Sequence, residues 1–236
     1  MIRSLILWRN LFPALLLSLA SWNLTTTNAQ EKSVRPGIND GFLKGNPSQW
    51  VERWEREGRE VYDKRAQIAK LTGIKKGSVV ADIGAGTGLF TNVFSQVVGN
   101  DGRVFSVDIT SSFVYRIVKQ ARQKKINNIV GVICSSDSCD LPEKSIDIAY
   151  ICATYHHFEF PEKTMKSIRR ALKDDGRVVV VDFERIEGES SQFILGHVRA
   201  GKETVVAEIK NCGFELVKEE KGIMTDNYFL MFKKSK

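Results

Sequence analysis

The stretch Val80-Ala81-Asp82-Ile83-Gly84-Ala85-Gly86-Thr87-Gly88 decides the fold of this chain. It begins in a short apolar strand, passes through three alternate glycines and leads into an apolar helical run over residues 90–98. Glycines permit a tight turn and a close ligand, and the next helix points its N-terminal amides into the same space. The pattern indicates a ligand site at a strand end. The alternative is a glycine-rich turn without a ligand, but the strand–loop–helix context favours the site.

Apolar strands and amphipathic helices alternate in the rest of the chain. The predicted strands are 79–83, 104–107, 129–134, 146–153, 178–182, 214–217 and 228–232, and the predicted helices are 90–98, 111–125, 163–172 and 203–211. Strands joined by crossover helices form a parallel sheet with helices on both faces. The last two strands have no room for a helix between them and should pair antiparallel. We therefore predict an α/β, doubly wound, mostly parallel seven-stranded sheet with an antiparallel last strand.

Two acids follow the next two strands. Asp108 ends the second strand about 20 residues beyond the glycines, where a carboxylate can accept both ribose hydroxyls of a nucleotide. It also precedes a helix that it could cap, and both functions are compatible. Asp137 lies in a polar loop after the third strand and can accept from an adenine amino group, although alone it indicates an Asx turn. The position of Asp108 is compatible with NAD, FAD or S-adenosylmethionine.

Together these blocks resemble class I S-adenosylmethionine-dependent methyltransferases, in particular the group that includes the ubiquinone/menaquinone-biosynthesis enzymes. The resemblance runs in order over residues 49–232 and is carried by the glycine stretch, Asp108, Asp137 with Leu141-Pro142, and residues 146–158. It implies a Rossmann-like fold, S-adenosylmethionine as cofactor and methyl transfer to an acceptor, which we expect to be a small molecule. One departure is the turn at 174–176, Asp-Asp-Gly, where the family usually has Pro-Gly-Gly.

The resemblance also implies which residues hold the cofactor. The glycines contact its methionine part and ribose, and four further residues bind its polar groups. The set is Gly84, Gly86 and Gly88, with Asp82 for the methionine amino group, Asp108 for the ribose, Asp137 for the adenine amine, and the backbone amide of Ser138 for the ring nitrogens.

Tyr155, His156 and His157 follow the fourth strand and are the candidate catalytic residues. A neutral imidazole there can accept a proton from an acceptor near physiological pH. Adjacent side chains diverge, so we expect only one histidine, His156 slightly ahead of His157, to face the acceptor. The other would be a hydrogen-bonded structural residue, and Tyr155 a wall of the pocket.

A helical pattern over residues 48–71 precedes the first strand, with Ser48 as its predicted N-cap. It carries Trp50, Trp54 and Tyr62, which form either a lid over the site or ordinary core packing.

Residues 1–29 have the order of a secretory signal peptide. Arg3 and Arg9 precede a short apolar run, no acid is present, and Ala29 offers a cleavage point. We expect an exported protein whose linker, 30–46, leads to a methyltransferase domain at 47–236. An uncleaved leader that anchors the protein in the membrane is the alternative, and no stable span is expected after cleavage.

Composition limits the other classes. The net charge of +7 is scattered and no segment resembles a nucleic-acid-binding cassette. The four cysteines form no CxxC pair and the three histidines are not spaced with them as zinc ligands, so we predict no metal site. An NAD-dependent oxidoreductase is disfavoured because no Tyr-x-x-x-Lys pair follows the fourth strand. A non-catalytic exported binding domain remains an alternative, and the oligomeric state is left open.

Overall fold

A single seven-stranded sheet organises residues 30–236, which are the residues that the computed structural model describes. The strands are β1 Val79–Ile83, β2 Arg103–Asp108, β3 Ile129–Ile133, β4 Ile146–Cys152, β5 Leu172–Phe183, β6 Phe214–Glu220 and β7 Asn227–Lys234. Their order is β3-β2-β1-β4-β5-β7-β6, with β7 antiparallel to both of its neighbours. The predicted α/β doubly wound sheet with an antiparallel last strand is confirmed.

Nine α-helices accompany the sheet within these residues. They are α1 Asp40–Leu43, α2 Pro47–Trp54, α3 Glu60–Asp63, α4 Arg65–Leu71, α5 Leu89–Val98, α6 Ser111–Gln123, α7 Pro161–Ala171, α8 Gln192–His197 and α9 Lys202–Asn211. A single 3-10 turn, Tyr155–His157, follows β4. Among residues 30–236 no helix has the length and apolarity that a membrane crossing requires. The predicted leader lies outside the described residues.

The core lies on both faces of the central strands. In the centres of β4 and β5, residues 148–151 and 178–182 alternate between opposite faces and are almost inaccessible to solvent. One face is covered by apolar side chains of α7 and α9, and the other by those of α4 and α5. Strands buried on both sides read as continuous apolar runs, which is why Val178-Val179-Val180-Val181 was recognisable as a strand. The sheet is thereby a rigid base whose carboxyl edge can carry a site.

The N-terminal helix is shorter and more broken than its pattern predicts. Three separate helices replace the single one expected over residues 48–71. The first begins at Pro47 because the side chain of Asn46, rather than Ser48, caps it by accepting from the backbone N–H of Ser48 at 3.0 Å. Gly58 then takes a left-handed conformation, with φ of +83°, and interrupts the helical run before α3.

Residues 30–46, predicted as a linker, lie against the domain. The backbone N–H of Val34 donates to the carbonyl of Glu159 at 2.9 Å. Arg35 donates to the carbonyl of Gly196 at 2.9 Å, and Asn39 donates to that of His157 at 3.1 Å. The segment also contains helix α1, and its glycine and proline content carried no information about these distant partners.

Two further differences lie beside β5. The predicted turn at 174–176 is part of the extended strand, at a shift of register between the pairs Ile146–Leu172 and Ile148–Arg177. Helix α8 had no prediction, since residues 183–201 show no clear periodicity. Its start is capped by Ser191, whose hydroxyl accepts from the backbone N–H of Ile194 at 3.3 Å.

Asn128 joins the end of α5 to the start of β3 and supplies a test of this packing. Its amide donates to the carbonyls of Ser95 and Gly99 at 2.8 and 2.9 Å, and its Oδ1 accepts from the Ser95 hydroxyl at 2.7 Å. We predict that Asn128→Ala lowers the free energy of unfolding by about 2–3 kcal/mol, because buried polar groups lose their partners. The adjacent, exposed Asn127 is the matched control, and Asn127→Ala should change it by less than ~0.5 kcal/mol in urea denaturation. Equal effects of the two variants would contradict this assignment.

Candidate active site

A cavity lies at the carboxyl edge of the sheet, where β1, β2, β4 and β5 end. Its volume is about 670 Å³, within the usual range for small-molecule sites. The glycine loop lies on one side and the 3-10 turn after β4 lies on the other, while α2 and α8 supply outer walls. Ligands of open α/β sheets bind at this edge, where the strand order reverses between β1 and β4.

The glycine loop is tightly enclosed. Gly84, Gly86 and Gly88 have φ angles of +68°, +53° and +87°, a region that side chains disfavour. A Cβ at Gly84 would lie 2.1 Å from the side chain of Thr154, and one at Gly88 would lie 2.7 Å from Ile117. Gly84 and Gly86 line the cavity, whereas Gly88 caps the start of α5 behind it. The loop therefore needs glycine for packing as well as for its turn.

Asp108 fixes this loop from the end of β2. Its Oδ2 accepts from the backbone N–H of Gly86 at 2.8 Å, and its Oδ1 accepts from that of Thr110 at 2.8 Å. Burial raises the pKa of this carboxyl, and the two backbone N–H groups oppose the rise. Each oxygen keeps a second lone pair, so the loop-supporting function leaves room for a ligand hydroxyl. Asp108 lines the cavity, as the predicted ribose site requires.

Asp82 is the second buried acid of the cavity. It is only 3% exposed, and its Oδ2 accepts from the hydroxyl of Thr91 at 2.6 Å. Burial raises the pKa of Asp82 to about 7, against the opposing effect of the hydrogen bonds from Thr91. A carboxyl held in this way gains most from a cationic ligand, because a positive charge restores its ionised form.

The polar loop after β3 reaches the cavity through its serines. Ser135, Ser136 and Ser138 line the cavity, in agreement with the position predicted for Ser138. Asp137 is not brought there: its Oδ2 lies 3.3 Å from Nζ of Lys163 on α7, and the side chain is 39% exposed. The sequence motif located the loop correctly, but the rotation of one side chain within an irregular loop depends on its charged neighbour.

Tyr155 does not line the cavity either, so the prediction that it forms a wall of the pocket is wrong. The ring is fully buried, and its hydroxyl donates to Glu208 on α9 at 3.0 Å. Arg199 binds both oxygens of the same carboxylate at 2.8 and 2.7 Å. The 3-10 turn directs Tyr155 into the core beneath the site, where this ion pair satisfies its hydroxyl.

His156 and His157 both line the cavity, whereas only one was expected to face it. Side chains diverge in an extended strand, but the 3-10 turn keeps these two rings 4.3 Å apart. His156 is 3% exposed, and its Nδ1 lies 2.7 Å from Oδ1 of Asp182 at the end of β5. Burial, together with His156, His197 and Arg35, lowers the pKa of His157 to about 2, so that ring is neutral at physiological pH.

His197 completes this wall and was missed by the sequence analysis. It ends α8, and its Nε2 lies 3.2 Å from Nε2 of His157. The chain has three histidines, and all three therefore meet here. The prediction of no metal site rested on the spacing of these residues along the chain. Such spacing does not reveal that α8, which begins at residue 192, brings His197 beside the other two histidines. No sequence motif marks His197. The only hint in the composition is that histidine is a rare residue in this chain.

The N-terminal helices roof the cavity with aromatic rings. Trp50 and Trp54 stack with ring centroids 4.9 Å apart, and Phe42 packs against both. All three line the cavity, which agrees with the lid interpretation of α2. Tyr62, the third ring proposed for that lid, is not in the lining and lies under the guanidinium of Arg65 at 4.2 Å.

The strand order, the glycine loop after β1, the acid at the end of β2 and the roofed cavity together define a class I S-adenosylmethionine-dependent methyltransferase domain. Residues 74–228 match the family model described as a methyltransferase domain, and the chain belongs to this family.

The comparisons with known proteins also place limits on this resemblance. The chain is 35% identical over 131 residues to the ubiquinone/menaquinone biosynthesis C-methyltransferase UbiE of Pseudoalteromonas translucida, which is 53% of this chain and 50% of that protein. The chain thus spans about half the length of the curated relatives it matches.

Two solved structures share the fold at lower identity. A S-adenosylmethionine-dependent methyltransferase from Aquifex aeolicus has a TM-score of 0.68 and 21% identity over 80% of this chain and 99% of that one. The [4+2]-cyclase SpnF has a TM-score of 0.64 and 16% identity over 77% and 85%. The likeness to a protein described as a cyclase shows that proteins with different chemistry share this fold.

The contact between the loops after β1 and β4 gives a direct test. We predict that Gly84→Ala lowers the free energy of unfolding by at least about 3 kcal/mol, because the new Cβ meets Thr154 at 2.1 Å. Gly58 is the matched control: it also has a positive φ but has nothing within 4 Å, so Gly58→Ala should cost only about 1–2 kcal/mol. Adding Thr154→Gly to Gly84→Ala should recover part of the loss in urea denaturation. A double variant as unstable as the single one would contradict the contact.

Proposed function

We propose that this protein transfers a methyl group from S-adenosylmethionine to a small-molecule acceptor. The observation that carries the proposal is one continuous cavity with two different halves. One half has the glycine loop and the buried acids Asp82 and Asp108, and the other has imidazoles and aromatic rings. Such a division suits a cofactor and an acceptor that must meet end to end.

The cofactor half fits S-adenosylmethionine by its chemistry. Glycine at positions 84 and 86 lets Thr154 and the ring of Trp54 pack closely against the loop, and both glycines line the cavity with their backbone. Asp82 suits the methionine ammonium, and Asp108 keeps lone pairs for the ribose hydroxyls. When bound, the cofactor supplies an electrophilic methyl group on a sulfonium. The protein's own contribution is to orient both molecules and to exclude water.

The acceptor half favours a small, partly aromatic or apolar molecule. Phe42, which packs on His157, and Trp50 cover it, so a broad protein surface would not enter. The relatives named for ubiquinone and menaquinone biosynthesis methylate carbon by their names, but only half their length is matched. We therefore propose the class of acceptor and not its identity.

His156 is better suited than His157 to take a proton from such an acceptor. Its Nδ1 is engaged by Asp182, so the Nε2 lone pair is the one left to face the cavity. The low pKa of His157 makes that ring a poor proton acceptor. General-base catalysis by this pair stays a prediction.

Cofactor binding should depend on pH through Asp82. In the free protein burial raises the pKa of Asp82 to about 7, so its carboxyl is mostly neutral below pH 7. A bound ammonium group favours the ionised carboxylate instead. Binding below pH 7 must therefore expel a proton. We predict that S-adenosylmethionine affinity rises up to about tenfold per pH unit toward pH 7 and falls again once the ligand amine deprotonates near pH 8. Calorimetry in buffers of different ionisation heat measures the released proton.

Asp82→Asn should weaken binding and abolish the rise below pH 7. The other titratable groups around this carboxyl, Asp108, Tyr150 and Cys152, remain in that variant. Asp137→Asn is the matched control, since Asp137 lies against Lys163, and it should keep the slope. A slope that survives Asp82→Asn would refute the assignment. Binding of NAD in place of S-adenosylmethionine would favour an oxidoreductase, and binding without methyl transfer to any of a panel of small acceptors would favour a non-catalytic domain.

We also propose that the protein is exported and that its leader is removed after Ala29. The support is the basic start, short apolar run and acid-free composition of residues 1–29. The intact mass of the protein recovered from its native host should correspond to a chain that begins at Gln30. Recovery of the uncleaved chain in a membrane fraction would instead support the anchored alternative, and uncleaved chain in the cytosol would contradict export.

A further inference from the structure

We propose that His156, His157 and His197 bind a divalent metal ion, of which zinc fits best, in the acceptor half of the cavity. The chain has only these three histidines. Two come from the turn after β4 and the third from the end of α8, and each offers one ring nitrogen to a shared point. Three histidines that leave a fourth position open are a known arrangement for catalytic zinc.

The spacing of the nitrogens supports a shared ion. The three ligand atoms lie within 4.8 Å of one another, and Nε2 of His157 lies 3.2 Å from Nε2 of His197. Zinc–nitrogen bonds of about 2.0–2.1 Å at the tetrahedral angle put two ligand nitrogens about 3.3 Å apart. The observed pair already has this separation, and the ligand atom of His156 lies within 4.8 Å of both.

The second observation is an unsatisfied nitrogen. Nε2 of His156 is buried and has no hydrogen-bond partner among the described residues. Its ring is 3% exposed and lines the cavity, so solvent gives little compensation. A buried polar atom without a partner destabilises the fold, and a metal ion bound to it removes that cost.

Asp182 selects the nitrogen that would bind the ion. Its Oδ1 lies 2.7 Å from Nδ1 of His156, and since a carboxylate only accepts, Nδ1 carries the proton and Nε2 carries the lone pair. Asp182 is itself held by the backbone N–H groups of His156 and Phe183 at 3.2 and 2.9 Å. A carboxylate behind a ligating histidine is the usual outer support of zinc sites.

The other two histidines are fixed from behind. Arg35 donates to the carbonyl of His197 at 2.5 Å, and the ring of Phe193 stacks on His197 with centroids 5.0 Å apart. Asn39 donates to the carbonyl of His157 at 3.1 Å. The ligand positions are therefore set before any ion arrives, which favours affinity.

The open fourth position assigns a function to the ion, and this step rests on the proposed methyl transfer. Because Nε2 of His156 is then bound to the ion, ionisation of the acceptor by the metal replaces proton acceptance by His156. The fourth position faces the cavity, where an acceptor hydroxyl or thiol could become a ligand. Binding to the ion would form a metal–oxygen or metal–sulfur bond and release the acceptor's proton to solvent. The ionised atom is the stronger nucleophile for a methyl group. The site thus points to acceptors with an ionisable oxygen or sulfur.

The test uses the full chain, purified without a polyhistidine tag and treated with chelator. Titration with Zn²⁺ in calorimetry should give one equivalent bound, and Co²⁺ should give the intense visible absorption of a tetrahedral ion. His197→Ala, on a partly exposed helix end, should lower affinity by at least about 100-fold, and Asp182→Asn by about 10–100-fold. His157→Ala is the second ligand variant. Cys212→Ser is the matched control, a buried potential ligand outside this cluster, and should bind as the parent does.

Binding of S-adenosylmethionine by each variant reports that the fold is intact and separates the two proposals. Loss of zinc with retained cofactor binding in His197→Ala supports the metal site. Absence of stoichiometric zinc in the parent, or unchanged affinity in both histidine variants, overturns the metal site and leaves the proposed methyl transfer standing. Loss of cofactor binding by the parent chain would instead overturn the proposed function, whatever the zinc result.

Discussion

The parallel pairing of β1 with β4 is the constraint on which the rest of the structure depends. Ile83 pairs with Ile151 near the ends of these strands, so the loops that follow leave the sheet side by side. Strands are added outward in opposite directions from this pair, which opens a crevice between the crossover helices. The glycine loop enters the crevice from β1, and His156 and His157 enter from β4. A cavity with a cofactor side and an acceptor side follows from that single junction.

Buried charge gives the cavity its chemical character. Asp82 and Asp108 are both almost inaccessible, and burial raises the pKa of each. Such carboxyls weaken a fold unless hydrogen bonds or a ligand stabilise them. Asp108 accepts one backbone N–H from Gly86 in the glycine loop and one from Thr110, whereas Asp82 has the single hydroxyl of Thr91 as its side-chain donor among the described residues. Asp108 therefore holds the glycine loop in place, whereas Asp82 remains able to pair with a cation.

Local and periodic features could be predicted from the sequence. Contacts between residues that lie far apart along the chain could not. The run of valines in β5 and the glycines after β1 have physical causes that lie within a few residues, so the sheet and its loop were predictable. His197 reaches the cavity on a six-residue helix without periodicity, and its partner His157 is 40 residues away. The prediction that Asp137 lies in the cavity failed for a different reason. Its loop was located correctly, but Lys163 on another element sets the direction of its side chain.

The attachment of residues 30–39 to the histidine side of the cavity has a consequence for the order of assembly. These are the first of the described residues to leave the ribosome, yet Val34 and Arg35 find their partners at residues 159 and 196–197. Translation at roughly 5–20 residues per second separates the two by several seconds or more. The glycine loop, by contrast, closes on Asp108 across 22 residues. Because distant contacts close more slowly than local ones, we expect the glycine-loop side of the cavity to form early and the histidine side to be completed only when residues 30–39 fold back over the end of the domain.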